Sequence, residues 1–309
     1  MMKKVFIDGK AGTTGLRIYE RLENRDDIEL LSLSDDERKD PVLRKKMLNE
    51  ADIAFLCLPD DAAREAVSMV ENDNTVIIDT STAHRTLDGW CYAFPELSAE
   101  LENKLQTAKR IAVPGCHAGG FIALVYPLIE KGYLKADANL SCHSLTGYSG
   151  GGKKMIAQYE NEKTELLGAP RQYGLIQNHK HLKEMKAITG LTKEPIFCPI
   201  VSDFYSGMLV TVPIFACELQ NASIDDIKAL YKKKYNGDIV RYVEADDGDG
   251  MVSAAGKSMK DSMDISVFGN GERIILCARY DNLGKGASGA AIEAMNVVLK
   301  TDKTKGLNL

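Results

Sequence analysis

Lys3-Lys4-Val5-Phe6-Ile7-Asp8-Gly9-Lys10-Ala11-Gly12-Thr13-Thr14-Gly15-Leu16-Arg17-Ile18-Tyr19-Glu20-Arg21-Leu22 is the stretch that decides the fold. Residues 3–8 are a short apolar run ending at a glycine, the pattern of a strand. Positions 16, 18, 19 and 22 then carry apolar side chains at helical spacing, so 13–23 reads as a helix. Between the two lie Gly9, Gly12 and Gly15 in a GxxGxxG arrangement, a near relative of the GxGxxG dinucleotide fingerprint. Glycines at these places let the chain turn sharply and approach a pyrophosphate seated on the helix N-terminus, where Thr13 and Thr14 stand. A plain glycine-rich turn would look the same in isolation. Its place after a first strand favours the nucleotide.

Outward from this stretch the alternation continues. Strands are expected at 28–34, 51–59, 75–81 and 110–115, and helices around 41–49 and at 61–71. Such alternation implies an α/β Rossmann-type unit, a parallel sheet covered on both faces. Beyond residue 115 the pattern loosens. Helices are expected at 118–131, 152–165, 223–234 and 285–299, with β-rich stretches at 138–146, 194–200, 207–219 and 264–280. Longer strands with fewer helices between them suggest an α+β unit with a mixed or antiparallel sheet. At 309 residues the chain exceeds what one core usually holds, and the expected division is 1–115 and 116–284. The last residues, 301–309, are expected to fray.

Composition narrows the function. The chain is 44% hydrophobic and 27% charged, as ordinary globular proteins are, and its net charge is −5. A nucleic-acid or anionic-membrane surface needs basic excess, so neither partner is expected. The N-terminal MMKKVFIDG is too short for a signal-peptide core, and no apolar run approaches the roughly 20 residues that span a bilayer. A cytoplasmic location is the expectation. Seven cysteines stand at 57, 91, 116, 142, 198, 217 and 277, an odd number without a CxxC pair. Disulfide and zinc frameworks are therefore poor readings, and no metal is expected.

Four segments carry chemistry. After the second strand comes Ser34-Asp35-Asp36-Glu37-Arg38-Lys39. Basic residues here accept a 2′-phosphate, whereas an acid would take a ribose 2′-OH, so Ser34, Arg38 and Lys39 favour NADP. A solvated charge run remains the alternative. Pro114-Gly115-Cys116-His117-Ala118-Gly119-Gly120 places a cysteine at a helix N-terminus, where the dipole favours the thiolate and free N–H groups can hold an oxyanion. His179-Lys180-His181 puts two imidazoles on one face if the segment is extended, with Glu184 close enough to orient a ring. His117, adjacent to Cys116, is expected to point away from it. Ser149-Gly150-Gly151-Gly152-Lys153-Lys154 is a basic glycine loop opening a helix, suited to a phosphate or carboxylate through Ser149, Gly150 and Lys153. Its alternative is a flexible helix entry. A further glycine-rich element runs from Asp281 to Gly289.

GKAGTTGLRIYERL, PGCHAGG, TGYSGGGK, HKHLKEM and DNLGKGASGAA stand in this order from residue 9 to residue 291. Together they resemble the short-form N-acetyl-γ-glutamyl-phosphate reductases of arginine biosynthesis, over nearly the whole chain. The resemblance implies an NADP-binding Rossmann domain, completed by the C-terminal helix 285–300, and an α+β catalytic domain of semialdehyde-dehydrogenase type. It implies Cys116 as nucleophile and His179 or His181 as the acid–base group. It also implies a cofactor site edged by Leu58, Pro59 and Ser81, with Asn282, Lys285 and Gly286 on the nicotinamide side. The implied reaction is reduction of an acyl phosphate through a cysteine thioester, in a homo-oligomer, dimer or tetramer. Lys183 departs from the pattern, because the family has a proline before the glutamate. A related enzyme acting on aspartyl or aminoadipyl phosphate and an inert NADP-binding sensor are the alternatives.

Overall fold

The computed structural model describes residues 2–34, 36–244 and 246–309; Asp35, in the charge run above, and Ala245 lie outside them. The chain divides into two units. One holds the residues up to Pro114 together with Ala287–Leu307, the other Gly115–Gly286 with Asn308–Leu309.

In the first unit β1 (Lys3–Asp8) leads through the glycine turn into α1 (Thr13–Leu22). Then follow β2 (Ile28–Leu31), α2 (Pro41–Glu50), β3 (Ile53–Leu56), α3 (Asp60–Ser68), β4 (Val76–Asp79), β5 (Cys91–Tyr92), α4 (Ala99–Leu105) and β6 (Arg110–Ala112). The strands form one parallel sheet in the order β2-β1-β3-β4-β6-β5. Val5, Ile53, Phe55 and Ile78 pack with Ile18 and Leu22 of α1 and with Ile292 and Met295 of the C-terminal helix Gly289–Leu299. Their sequence neighbours Phe6, Ala54, Leu56 and Ile77 pack against Leu48 of α2 and Ala63 and Ala66 of α3. With both faces dry, the strands read as unbroken apolar runs. β2 stops at Leu31 rather than 34 because Ser34 belongs to a turn: its Oγ accepts from Glu37 N, while Glu37 Oε2 accepts from Ser34 N. β5 and α4 were not expected; two and seven residues are too few to show a period.

The second unit comprises α5 (Cys116–Glu130), β7 (Ser141–Gly147), α6 (Gly152–Asn161), β8 (Arg171–Gln172), α7 (His181–Thr189), β9 (Ile196–Ser202), β10 (Met208–Phe215), α8 (Ile224–Lys234), β11 (Val240–Tyr242), β12 (Met263–Gly269) and β13 (Arg273–Tyr280). Its sheet is mixed, in the order β11-β12-β13-β10-β7-β9-β8, with β7–β9 and β11–β12 parallel. Alternate residues such as Val210, Val212, Leu276 and Tyr280 are buried, while Ile196 and Phe215 are 63% and 64% exposed. The stretch 264–280 is two strands, because Asn270 Oδ1 accepts from both Glu272 N and Arg273 N and turns the chain.

α5 is apolar on every side and contains Pro127. Proline has no N–H to give to the Ala123 carbonyl one turn back, and the Tyr235 hydroxyl supplies that bond at 2.7 Å. The Tyr231 hydroxyl donates to the next carbonyl, Leu124.

Two expectations fail. The histidine pair is not extended: His181 is the first residue of α7, which ends at Gly190 in the left-handed conformation, φ +80°. The tail does not fray. Asn296 Nδ2 donates to the Lys303 and Lys305 carbonyls at 2.9 Å, and Asn308 exchanges hydrogen bonds with Asp261 at 2.7 and 2.8 Å.

Candidate active site

Cys116 occupies the first position of α5, behind the N-cap Gly115, and is partly exposed. Three contacts fix that helix start. Gly119 N donates to the Gly115 carbonyl at 2.8 Å. Glu184 of α7, buried, accepts from Gly115 N at 2.7 Å. The Tyr280 hydroxyl donates to the Cys116 carbonyl and accepts from Gly120 N at 3.0 Å. The first-turn N–H groups thus sit in a braced frame beside the sulfur. Burial pushes Cys57 up to about 12 and Cys277 up to about 11, and raises Cys91 and Cys142, so none of these four is a ready thiolate.

Cys116 opens into a cavity of about 180 Å³ that His117, His179 and Tyr173 line on one side and Thr146, Gly150 and Gly151 on another. Gly151 is the N-cap of α6, so the first residue of α5 and the residue before α6 share this space. His117 does not point away, as expected from sequence; its ring is held at both nitrogens, Nδ1 by Ser144 Oγ at 2.6 Å and Nε2 by the Tyr173 hydroxyl at 2.7 Å. Burial, then His179 and Lys180, push its pKa down to about 3. His179 is lowered to about 4, by burial and then by Lys180. Its Nδ1 accepts from His181 N at 3.2 Å, which leaves the ring proton of the neutral form on Nε2. His181 is buried, its ring 4.8 Å from that of His179 and 5.5 Å from that of His117.

The first unit has a cavity of about 760 Å³ at the ends of β1, β2 and β3, lined by Gly9, Lys10 and Ala11 of the glycine turn and by Arg38, Lys39, Arg44 and Leu58. Gly9 has φ +87°, and a Cβ there would collide with the Cys57 carbonyl, so only glycine permits this approach of the turn to β3. Gly12 N donates to the Gly9 carbonyl at 2.9 Å and Gly12 caps α1, whose first residues are Thr13 and Thr14. A Cβ on Gly15 would meet Lys10 Cα at 2.9 Å, so the helix packs directly on the turn. An open helix N-terminus, a glycine cradle and four cations fit a phosphorylated dinucleotide.

Residues 4–104 match the semialdehyde dehydrogenase NAD-binding domain, and residues 116–282 the semialdehyde dehydrogenase dimerisation domain. The chain is 43% identical to N-acetyl-gamma-glutamyl-phosphate reductase 2 of a Nostoc species, over 98% of this chain and 99% of the relative. It is 45% identical to N-acetyl-gamma-glutamyl-phosphate reductase of Brucella ovis, over 97% and 99%. The chain belongs to the N-acetyl-gamma-glutamyl-phosphate reductase family. The fold extends further. Aspartate semialdehyde dehydrogenase II of Vibrio cholerae, complexed with ASA, superposes with a TM-score of 0.76 at 14% identity, over 97% of this chain and 99% of that one. The Candida albicans aspartate semialdehyde dehydrogenase with NADP gives 0.67 at 14%, over the same shares.

Within this reductase fold the residues singled out from sequence fall into three groups. Cys116, His179 and Gly150 line the smaller cavity, and Gly9, Arg38, Lys39 and Leu58 the larger. A second group holds the frame: Glu184 on Gly115; Ser149, whose Oγ accepts from Asn282 Nδ2 at 3.0 Å; and Asn282, whose Oδ1 accepts from Gly207 N at 3.0 Å. Gly286 is here too, since a Cβ on it would lie 3.1 Å from Cys116 Cβ. The third group is turned elsewhere. Lys153 is exposed on α6; Ser34 closes the turn described above; Ser81 Oγ donates to Asp79 Oδ2 at 2.6 Å; Pro59 caps α3; and Lys285 is buried in the turn Gly284–Ser288. Sequence reasoning missed Tyr173, Ser144 and Tyr280, which no motif or period marks. It also missed Arg44, which binds the buried Asp8 at the end of β1 at 2.9 Å.

Among the described residues no helix is long and apolar enough to cross a membrane.

Proposed function

We propose that the chain reduces N-acetylglutamyl 5-phosphate to N-acetylglutamate 5-semialdehyde and phosphate, with NADPH, through a thioester on Cys116. The observation that carries this reading is Cys116 at a braced helix N-terminus, in one cavity with His179. The thiolate attacks the acyl carbon, the first-turn N–H groups of α5 hold the oxyanion, and phosphate leaves past the N-terminus of α6. A reduced nicotinamide, when bound, supplies hydride to the thioester carbon. His179 trades the Nδ1 contact with His181 N for a proton on Nδ1, so that a bare Nε2 takes the thiol proton beforehand and returns it as the thiohemiacetal collapses and the sulfur departs. His117, held at both nitrogens, keeps the Tyr173 hydroxyl facing the cavity. Glu184 positions Gly115 by accepting from its N–H.

Gly9, Gly12, Thr13, Thr14 and Gly15 would hold the pyrophosphate, and Arg38, Lys39 and Arg44 the 2′-phosphate that separates NADP from NAD. The exposed Ile196, Phe215 and Ile275 of the second unit's sheet support a homo-oligomer, as does the match to a dimerisation domain. The test is NADP reduction with phosphate and N-acetylglutamate semialdehyde, beside aspartate and aminoadipate semialdehydes. Preference for either competitor would replace the substrate assignment. Cofactor binding with no turnover on any of the three would leave the sensor reading.

A further inference from the structure

In a regular helix the Gly120 N–H would donate to the Cys116 carbonyl, four residues back. Here the Tyr280 hydroxyl joins both groups of this rung, giving its proton to the Cys116 carbonyl and accepting from Gly120 N. The rung before it is the ordinary one, Gly119 N donating to the Gly115 carbonyl at 2.8 Å. The tyrosine has no freedom to leave. It is 0% exposed, at the end of β13, paired with Met208 of β10 on one side and Met263 of β12 on the other. Gly120 makes the approach possible, because a Cβ on it would lie 2.6 Å from the hydroxyl and 2.8 Å from the ring edge. The chain then runs from Tyr280 to Gly286, which lies against Cys116 Cβ. One short segment therefore grips Cys116 at its carbonyl and at its side chain.

We propose that Tyr280 is a positioning residue for Cys116: its hydroxyl, bonded across the first turn of α5, fixes the angle at which that turn's N–H groups meet the sulfur. The proposal rests on Cys116 being the nucleophile. The alternative is that the hydroxyl merely satisfies buried backbone groups, as that of Tyr235 satisfies the Ala123 carbonyl further along α5. Tyr235→Phe is therefore the control, since it removes a buried hydroxyl from the same helix without touching the first turn.

The readout is the rate of Cys116 carboxymethylation by iodoacetamide against pH, with the site identified by peptide mapping. It needs neither substrate nor cofactor, and Cys116→Ser tests the nucleophile itself independently. The groups facing the sulfur, His117, Tyr173, His179, His181 and, through Gly115, Glu184, are unchanged in the variant. In Tyr280→Phe the midpoint should rise by about 0.5–1 pH unit, the size of a helix-terminus effect on a thiolate, while Tyr235→Phe stays with the parent. Turnover should follow, with kcat falling about tenfold or more and KM within about twofold. Superimposable profiles for Tyr280→Phe and the parent would overturn the proposal, as would an equal shift in Tyr235→Phe. If Tyr280→Phe does not fold, the intact protein decides: the labelled Tyr280 ring carbon should shift with the alkylation midpoint, and a resonance flat through that pH overturns the proposal.

Discussion

The molecule has two glycine-rich helix starts built to opposite ends. At α1 the turn Gly9–Gly12 lies open on a large cavity, with no side chain capping the helix and cations around the rim. At α5 the start is enclosed: Glu184 holds the N-cap, Tyr280 braces the Cys116 carbonyl, Gly286 presses on the cysteine, and the cavity is about a quarter as large, 180 against 760 Å³. Both present the first-turn N–H groups that a helix start leaves outside its own ladder. The open one suits a ligand that arrives carrying its own negative charge. The enclosed one suits charge that must be created on the protein and kept in register with a reacting carbon.

Removing the sulfur should break this contrast most completely. Cys116→Ser should lower turnover by about 10⁴-fold or more, because a serine hydroxyl is hardly ionised at neutral pH, and should leave NADPH binding by fluorescence unchanged. Substantial residual activity would reduce α5 to a second binding site. The acid–base partner comes next. His179→Asn should lower kcat by roughly 10²–10⁴-fold, the usual contribution of a positioned acid–base group, whereas His181→Asn should act mainly on KM. The reverse pattern would move the proton chemistry to the first residue of α7. At the open end the effect is smaller. Arg38→Ala should weaken NADP binding by about 1.5–3 kcal/mol, measured by calorimetry, and NAD binding far less, since only NADP carries the charge that a guanidinium contacts. Equal losses would leave Lys39 and Arg44 to recognise the 2′-phosphate.

The two ends also differ in how far sequence revealed them. The open start is local: strand, glycines and helix are consecutive, so spacing alone announces it. The parallel sheet was equally legible, because strands buried on both faces must be apolar throughout. The enclosed start is assembled from distant segments. Cys116 was visible from its flanking glycines, but Tyr173, Ser144 and Tyr280 reach it only through strand pairing across β7, β9, β10 and β13. The histidine pair was identified for its chemistry and given the wrong backbone. A nine-residue helix ending at a left-handed glycine offers little period to read, and HKH fits a strand as well as a helix entry. Lys153 was chosen because it is basic and near the loop. Its position one residue into α6 turns it to solvent while the loop's backbone faces the cavity.

Acid sharpens the comparison with the smallest effect. In the second unit His117 and His179 are held near 3 and 4 by burial, against about 6.5 for free imidazole. Below pH 6.5 the unfolded chain therefore takes up protons that the folded unit refuses. Stability from these groups is fully present above 6.5 and is lost as pH falls toward 4, at up to about 1.4 kcal/mol per pH unit for the fully buried His117. The half-buried His179 adds less. A perturbed group in the first unit is shifted in the same direction but titrates in a lower pH range. Asp27, held well below the usual carboxylate range chiefly by its hydrogen bond to Arg25, contributes stability above the free carboxylate's pKa of about 3.9 and loses it only as pH falls through its own lower value. Between pH 6.5 and 4.5 the second unit should therefore loosen while the first does not. Amide hydrogen exchange, corrected for its intrinsic pH dependence, should show protection falling in α5 and β7 before β1 and β3. His117→Asn should flatten the response of α5 and β7, because an amide has no proton to take up. If β1 and β3 lost protection first, or if His117→Asn kept the parent's slope, the enclosed site would not be what makes this half of the chain acid-sensitive.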